Sequence, residues 1–155
     1  MSAADGNARD EFLSFGLDNE QYAIDILRVR EIRASTPVTR IANAAPSMRG
    51  IFDLRGAIVP VFDMRVLLGL APAAPGGKPV VIILDIDGRP AGVVVDTVCQ
   101  VVALERGAVK PLPATSTHVD AACIRGAVSV DGGMLIVLDI ARLMLAVDGV
   151  QAEAA

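Results

Sequence analysis

The stretch that decides the fold lies at residues 48–68 and reads MRGIFDLRGAIVPVFDMRVLL. Residues 124–144 repeat it without a gap as IRGAVSVDGGMLIVLDIARLM, at a displacement of 76 residues (124 − 48). Ordinary compositions give about one or two chance identities over such a length. Six pairs are identical: Arg49/Arg125, Gly50/Gly126, Gly56/Gly132, Val61/Val137, Asp63/Asp139 and Leu67/Leu143. The chain therefore contains one duplicated unit in two copies.

A second match extends each unit toward its N-terminal side. Residues 12–32 lie over residues 81–101 at a displacement of 69 (81 − 12), and their apolar positions coincide. The two matches occur in the same order along the chain. They predict a single domain over residues 11–145, with barrel halves at 11–70 and 79–145 and flexible termini at 1–10 and 146–155.

Each unit is typical of short strands joined by tight turns. Arg55-Gly56 and Asp131-Gly132 lie between apolar runs, and Gly accepts the positive φ that such hairpins require. Gly50 and Gly126 are predicted to be structural turns of the same kind. Asp63 and Asp139 precede short apolar segments, where they are expected to cap helices. Strands this short predict closure into small β-barrels, because closure removes exposed edges.

Composition and motifs argue against catalysis, cofactors and nucleic acid. The net charge is −4, so no basic surplus favours phosphate backbones. His118, the only histidine, and the two cysteines, Cys99 and Cys123, form neither a metal-binding pattern nor a nucleophilic triad. We expect no metal, no cofactor and no enzymatic activity. The N-terminal residues lack the pattern of a secretory signal, which predicts a cytoplasmic protein without membrane insertion.

Positions that break the internal symmetry are the better candidates for function. Arg55 lies on a predicted turn, and its counterpart in the second unit is Asp131. Glu31 is similarly replaced by Gln100. Since the shared fold tolerates either residue at these places, the side chains are free to serve a partner, although a charged turn residue is also commonly just solvated.

At this point the residues resemble a known family. Residues 21–32 (QYAIDILRVREI), residues 38–41 (VTRI), residues 49–65 (RGIFDLRGAIVPVFDMR) and residues 91–98 (AGVVVDTV) are similar to the signatures of CheW domains. The likeness covers nearly the whole chain. It implies a mostly β fold of two pseudo-symmetric five-stranded barrels with short helices.

The resemblance also implies a function. Members of the family are non-catalytic adaptors that couple methyl-accepting chemoreceptors to the histidine kinase CheA, whose C-terminal regulatory domain is itself similar to CheW. Such an adaptor would be recruited to membrane-associated receptor arrays. The alternatives are a CheW-like adaptor of a non-motility chemosensory pathway and, more remotely, a small-ligand-binding β-barrel.

Site residues follow from the same resemblance. The receptor surface is implied to comprise Val29, Glu31, Thr39, Arg55, Val80, Val98 and Val101. Lys110 and Thr115 are implied to contact the kinase in extended arrays, although the family often has Arg-Pro and an aromatic residue in this loop. Asp53 replaces the usual Asn, and we expect its charge to temper that of Arg55.

Overall fold

Ten strands form two five-stranded sheets in this structure, a computed structural model that describes residues 9–34, 36–71, 77–113 and 123–145. A 3-10 helix covers Ile26–Arg28, and two short helices cover Met64–Leu67 (α1) and residues 140–145 (α2). The strands are β1 (Arg9–Leu17), β2 (Glu20–Asp25), β3 (Val29–Ala34), β4 (Met48–Leu54), β5 (Ala57–Asp63), β6 (Val80–Ile86), β7 (Arg89–Val95), β8 (Thr97–Glu105), β9 (Ile124–Val130) and β10 (Gly133–Leu138).

The two sheets do not coincide with the two sequence units. Sheet A has the order β8-β1-β2-β10-β9, and sheet B has the order β3-β6-β7-β5-β4. Each sheet thus takes the first two strands of one unit and the last three of the other. The predicted barrel halves at 11–70 and 79–145 are wrong in this respect, because β2 pairs in parallel with β10, and β5 pairs in parallel with β7.

Each sheet is closed into a barrel by one β-bridge that a residue outside the strands forms with an edge strand. In sheet B, Thr39 and Ile51 exchange backbone hydrogen bonds of 2.8 and 2.9 Å. In sheet A, Lys110 and Ala127 do the same at 2.9 and 2.8 Å. The segments that follow β3 and β8 therefore close the two barrels against β4 and β9 in the same manner.

Gly50 and Gly126 make these closures possible, and they lie in strands rather than in turns as predicted. Their φ angles are 150° and 149°, beside irregularities in the β4–β5 and β9–β10 pairings. A Cβ at Gly50 would lie 2.5 Å from the carbonyl oxygen of Thr39, and one at Gly126 would lie closer still to that of Lys110. Glycine is required because the closing segment passes directly over the strand.

Gly56 and Gly132 do lie in two-residue hairpin turns, with φ angles of 92° and 80°. The predicted caps of both helices also occur: Asp63 accepts a hydrogen bond from the backbone N–H of Arg65, and Asp139 accepts one from that of Arg142. Part of the predicted flexible N-terminus is a strand, because Arg9 and Asp10 pair with Glu105 and Leu104.

The core has three parts. One cluster fills the interior of the barrel formed by sheet B, around Val59, Val61 and Ile83. Another fills the barrel formed by sheet A, around Phe12 and Val137. The largest lies between the sheets and takes residues from both of them and from both helices, including Phe15, Ile24, Met64, Ile82, Leu84 and Leu143. Burial of this shared cluster joins the two barrels into one unit.

Candidate functional site

The most distinctive polar group on the surface is a chain of three charges on sheet B. The Arg55 guanidinium donates a 2.6 Å hydrogen bond to Oε1 of Glu31, and Arg33 donates a 3.0 Å bond to Oε2. Arg33 also lies over the ring of Phe52, 5.7 Å from its centroid. The hydrogen bond from Arg55, supported by that from Arg33, lowers the pKa of Glu31, which therefore stays ionised at neutral pH.

Arg55 has a backbone conformation that another type of residue would adopt more easily. Its φ angle is 50°, in the left-handed region, where the turns of Asp87 and Asp131 place a small polar residue. Its side chain is 72% exposed, so most of the guanidinium is open to a partner despite the bond to Glu31. The residue's geometry thus contributes little to packing and presents a cation outward.

Asp53, whose charge was expected to temper that of Arg55, has its own hydrogen bond within the turn. Its Oδ1 accepts a 2.8 Å hydrogen bond from the backbone N–H of Gly56. Asp85 makes the same bond to Gly88 in the β6–β7 hairpin. An asparagine oxygen can accept the same bond, so the carboxylate is here a turn-stabilising group, and Glu31 is the carboxylate that contacts Arg55.

The predicted valines lie around the cluster between the sheets. Val29, Val80 and Val98 are partly buried and pack against that cluster. Val101 is 51% exposed and is paired across the ladder with Leu13, a buried member of the same cluster. Three of these valines thus border the cluster shared by both sheets, and Val101 lies next to it on β8; these residues of β3, β6 and β8 are together called the apolar boundary.

The remaining predicted residues have different surroundings. Thr39 forms the barrel-closing bridge to Ile51, so its backbone serves the fold. Lys110 is exposed and occupies the equivalent bridge to Ala127. Thr115 and His118 lie outside the described residues. Glu31 and Val29 are neighbours on β3, and so this strand connects the charged group to the apolar boundary.

Two features escaped the sequence reasoning. The Arg65 side chain is only 12% exposed, in a network with Asp96 and Asp18, residues that are remote from it in sequence. An apolar groove of about 240 Å³ also lies on the face of sheet B, beside the exposed side chain of Ile58. Its walls are formed by Ile58, Pro60, Phe62, Ile86, Arg89, Pro90, Ala91 and Met144. These residues come from β5, β6, β7 and α2, and the tertiary structure brings them together.

The described residues contain no cluster of three or more histidine, cysteine or acidic side chains suited to a metal ion. No helix within the described ranges is long and apolar enough to span a membrane. The fold and surface define a double-barrel β-domain whose notable features are an exposed Arg–Glu pair, an apolar boundary between barrels and an apolar groove. These are features of a protein-binding surface.

Within that class, the chain belongs to the family with the CheW-like domain, whose model matches residues 11–148. It is 40% identical to the chemotaxis protein CheW of Klebsiella aerogenes over 86% of this chain and 81% of that protein. It is 29% identical to a probable chemotaxis protein CheW of Rhizobium etli, over 86% of each chain. The crystal structure of the scaffolding protein TtCheW from Thermoanaerobacter tengcongensis superimposes with a TM-score of 0.78, at 30% identity and 87% coverage of both chains.

Proposed function

We propose that this protein is a non-catalytic chemotaxis adaptor that couples methyl-accepting chemoreceptors to the histidine kinase CheA and is recruited to their arrays. The observation that carries the proposal is the outward-facing Arg55, whose guanidinium is bonded to Glu31 and whose positive φ angle suits a small polar residue better than an arginine. Family membership and the chemotaxis names of the relatives support the same function.

The receptor surface in this proposal joins two chemistries. The valines at the apolar boundary offer burial to a helical receptor tip, and Arg55 offers forked hydrogen bonds to its carboxylates or helix-end carbonyls. Glu31 orients the guanidinium while leaving most of it open. A small-ligand function is less well supported, because aliphatic and aromatic side chains fill the interiors of both barrels.

A second surface is proposed for the kinase. The groove at Ile58 combines an apolar side chain, 63% exposed, with the cation Arg89. The symmetry-related positions on sheet A are Met134, 57% exposed, and the anion Glu20. A kinase domain of the same fold would present a face of the second kind, complementary in charge to the first.

Binding experiments with separate partners test the proposal. The wild-type protein should bind both a receptor cytoplasmic fragment and the C-terminal regulatory domain of the kinase, and should acquire no phosphoryl group from kinase and ATP. Ile58→Glu should weaken kinase binding at least about ten-fold, because it places a charge in an apolar contact. Receptor binding should be unchanged.

Met134→Glu, the same change at the symmetry-related position, is the matched control and should retain kinase binding. Absence of binding to either partner by folded wild-type protein would refute the adaptor function. Equal kinase affinity for Ile58→Glu and wild type would refute only the assignment of the groove.

A further inference from the structure

Arg65 forms the most extensive polar network in the described residues, at the place where the chain passes from one barrel to the other. Its Nε and Nη2 donate to the two carboxylate oxygens of Asp96 at 2.9 and 2.6 Å. Nη2 also donates to Oδ1 of Asp18, and Nη1 donates to the carbonyl of Ala71 at 3.0 Å. The forked geometry is the strongest kind of charged hydrogen bond in proteins.

The network joins the two sheets. Arg65 lies on α1, directly after β5 of sheet B, whereas Asp18 lies in the turn between β1 and β2 of sheet A. Asp96 lies between β7 of sheet B and β8 of sheet A, and accepts a 2.9 Å bond from the backbone N–H of Asp18. The hydrogen bonds raise the pKa of Arg65 and lower that of Asp96, so both groups are charged at every physiological pH.

Among the described residues, the symmetry-related side of the molecule has no such network. The positions equivalent to Arg65 and Asp96 are occupied by Ala141 and Leu27, and Leu27 is 86% exposed. Asp87, equivalent to Asp18, instead pairs with Arg28 at 3.2 Å in an exposed ion pair. The duplicated fold therefore forms without an equivalent network at this second place. The network of Arg65 with Asp96 and Asp18, here called the clasp, is an addition specific to one side of the molecule.

The clasp lies next to the start of β8, the strand that carries Val98 and Val101 of the apolar boundary. Asp96 precedes β8 by one residue, and its backbone N–H donates to the carbonyl of Gly16 at 3.2 Å. Two residues further on, Val98 is paired with Phe15 and packs against the cluster between the sheets. Holding Asp96 therefore sets the direction in which β8 leaves the crossover, and with it the positions of Val98 and Val101.

We infer that Arg65 is a positioning residue for receptor binding: it joins the two barrels through Asp96 and Asp18, and so fixes Val98 and Val101 of sheet A relative to Val29 and Val80 of sheet B. This inference rests on the proposed receptor surface. It assigns Arg65 no contact with the receptor, because its side chain is largely buried.

The test compares variants that remove different arms of the clasp. Arg65→Gln removes both charged arms, and Asp18→Asn weakens only the arm that reaches the β1–β2 turn. Both should weaken binding of a receptor cytoplasmic fragment, by about two- to thirty-fold. Arg65→Lys keeps a charge without the fork and should give an intermediate affinity. Kinase binding should be unchanged, since none of Arg65, Asp96 and Asp18 lines the groove at Ile58.

Arg142→Gln is the matched control, because Arg142 is an exposed arginine on the second helix, paired only with Asp139 on that same segment among its described contacts. Hydrogen exchange supplies a readout beyond affinity: amides of residues 97–101 should exchange faster in Asp18→Asn than in wild type, at unchanged melting temperature. Should Arg65→Gln fail to fold, Asp18→Asn decides the question.

Wild-type receptor affinity together with wild-type exchange at residues 97–101 in Asp18→Asn would overturn the inference. If the wild-type protein itself binds no receptor fragment, the proposed function fails, and the exchange measurement still reports whether the clasp exists.

Discussion

Single residues in this molecule separate what the fold requires from what a partner requires, and Arg55 is the clearest case. An asparagine or aspartate suits its φ angle of 50° better than an arginine. We therefore expect Arg55→Asn to keep or raise the melting temperature while receptor-fragment affinity falls by about five- to thirty-fold. Arg55→Lys should recover only part of the affinity, because an ammonium lacks the fork. Calorimetric titration and a melting curve measure both effects.

Asp131→Asn is the control for Arg55→Asn, since it makes the same change in the equivalent turn of sheet A, where φ is also 50°. It should leave receptor affinity unaltered. A loss of affinity that is matched by unfolding in Arg55→Asn would remove this residue from the receptor surface.

The two pairs of matched glycines should differ in how much an alanine substitution lowers the stability of the protein. Gly50→Ala and Gly126→Ala should each lower the free energy of unfolding by about 2–4 kcal/mol, because the added Cβ meets the backbone carbonyl of the closing segment at an unfavourable φ. Gly56→Ala and Gly132→Ala meet no atom within 4 Å and should lose only the conformational cost, about 1–2 kcal/mol. Urea unfolding measures the four values. Equal losses at all four positions would contradict the role of close approach.

At the scale of elements, the helix caps are related by symmetry but differ in their surroundings. Asp63 is 4% exposed, caps α1 and lies 3.4 Å from Arg49, whereas the Asp139 side chain is 35% exposed. We expect Asp63→Ala to cost about 2 kcal/mol and Asp139→Ala about 0.5–1 kcal/mol, the upper and lower parts of the range for helix caps. Chemical denaturation tests this order, and a larger loss at Asp139 would refute it.

The β7–β8 crossover should also give the protein a specific acid response. Arg65, through its hydrogen bonds, lowers the pKa of Asp96 in the folded state, below the value of about 3.9 for an unfolded chain. The resulting stability is fully present above about pH 4 and is lost as the pH falls toward the folded-state pKa. The free energy of unfolding, measured between pH 3 and 6, should therefore decrease less steeply with falling pH in Asp96→Asn than in wild type. Parallel profiles would exclude this contribution.

The whole molecule is held together by the exchange of strands between its two units. Because sheet A needs β8 to β10 and sheet B needs β6 and β7, a fragment of residues 1–75 lacks half of its pairing partners. We expect this fragment and residues 76–155 to be unfolded separately and to assemble when mixed or co-expressed. Dispersed amide NMR spectra should appear only for the mixture. A folded spectrum from either fragment alone would contradict the interlocked topology.

The sequence by itself determined the duplication, the β-class, the hairpin turns at Gly56 and Gly132, the helix caps and the asymmetry at Arg55. All of these depend on local chemistry or on comparison of the chain with itself. Tertiary structure alone decided which sheet each strand joins, why Gly50 and Gly126 must be glycines, and that Glu31, not Asp53, contacts Arg55. It also decided the network of Arg65 with Asp18 and Asp96, 47 and 31 residues away. The physical reason is that strand exchange and long-range ion pairs depend on which surfaces pack together, and that choice leaves no periodic or local trace in the chain.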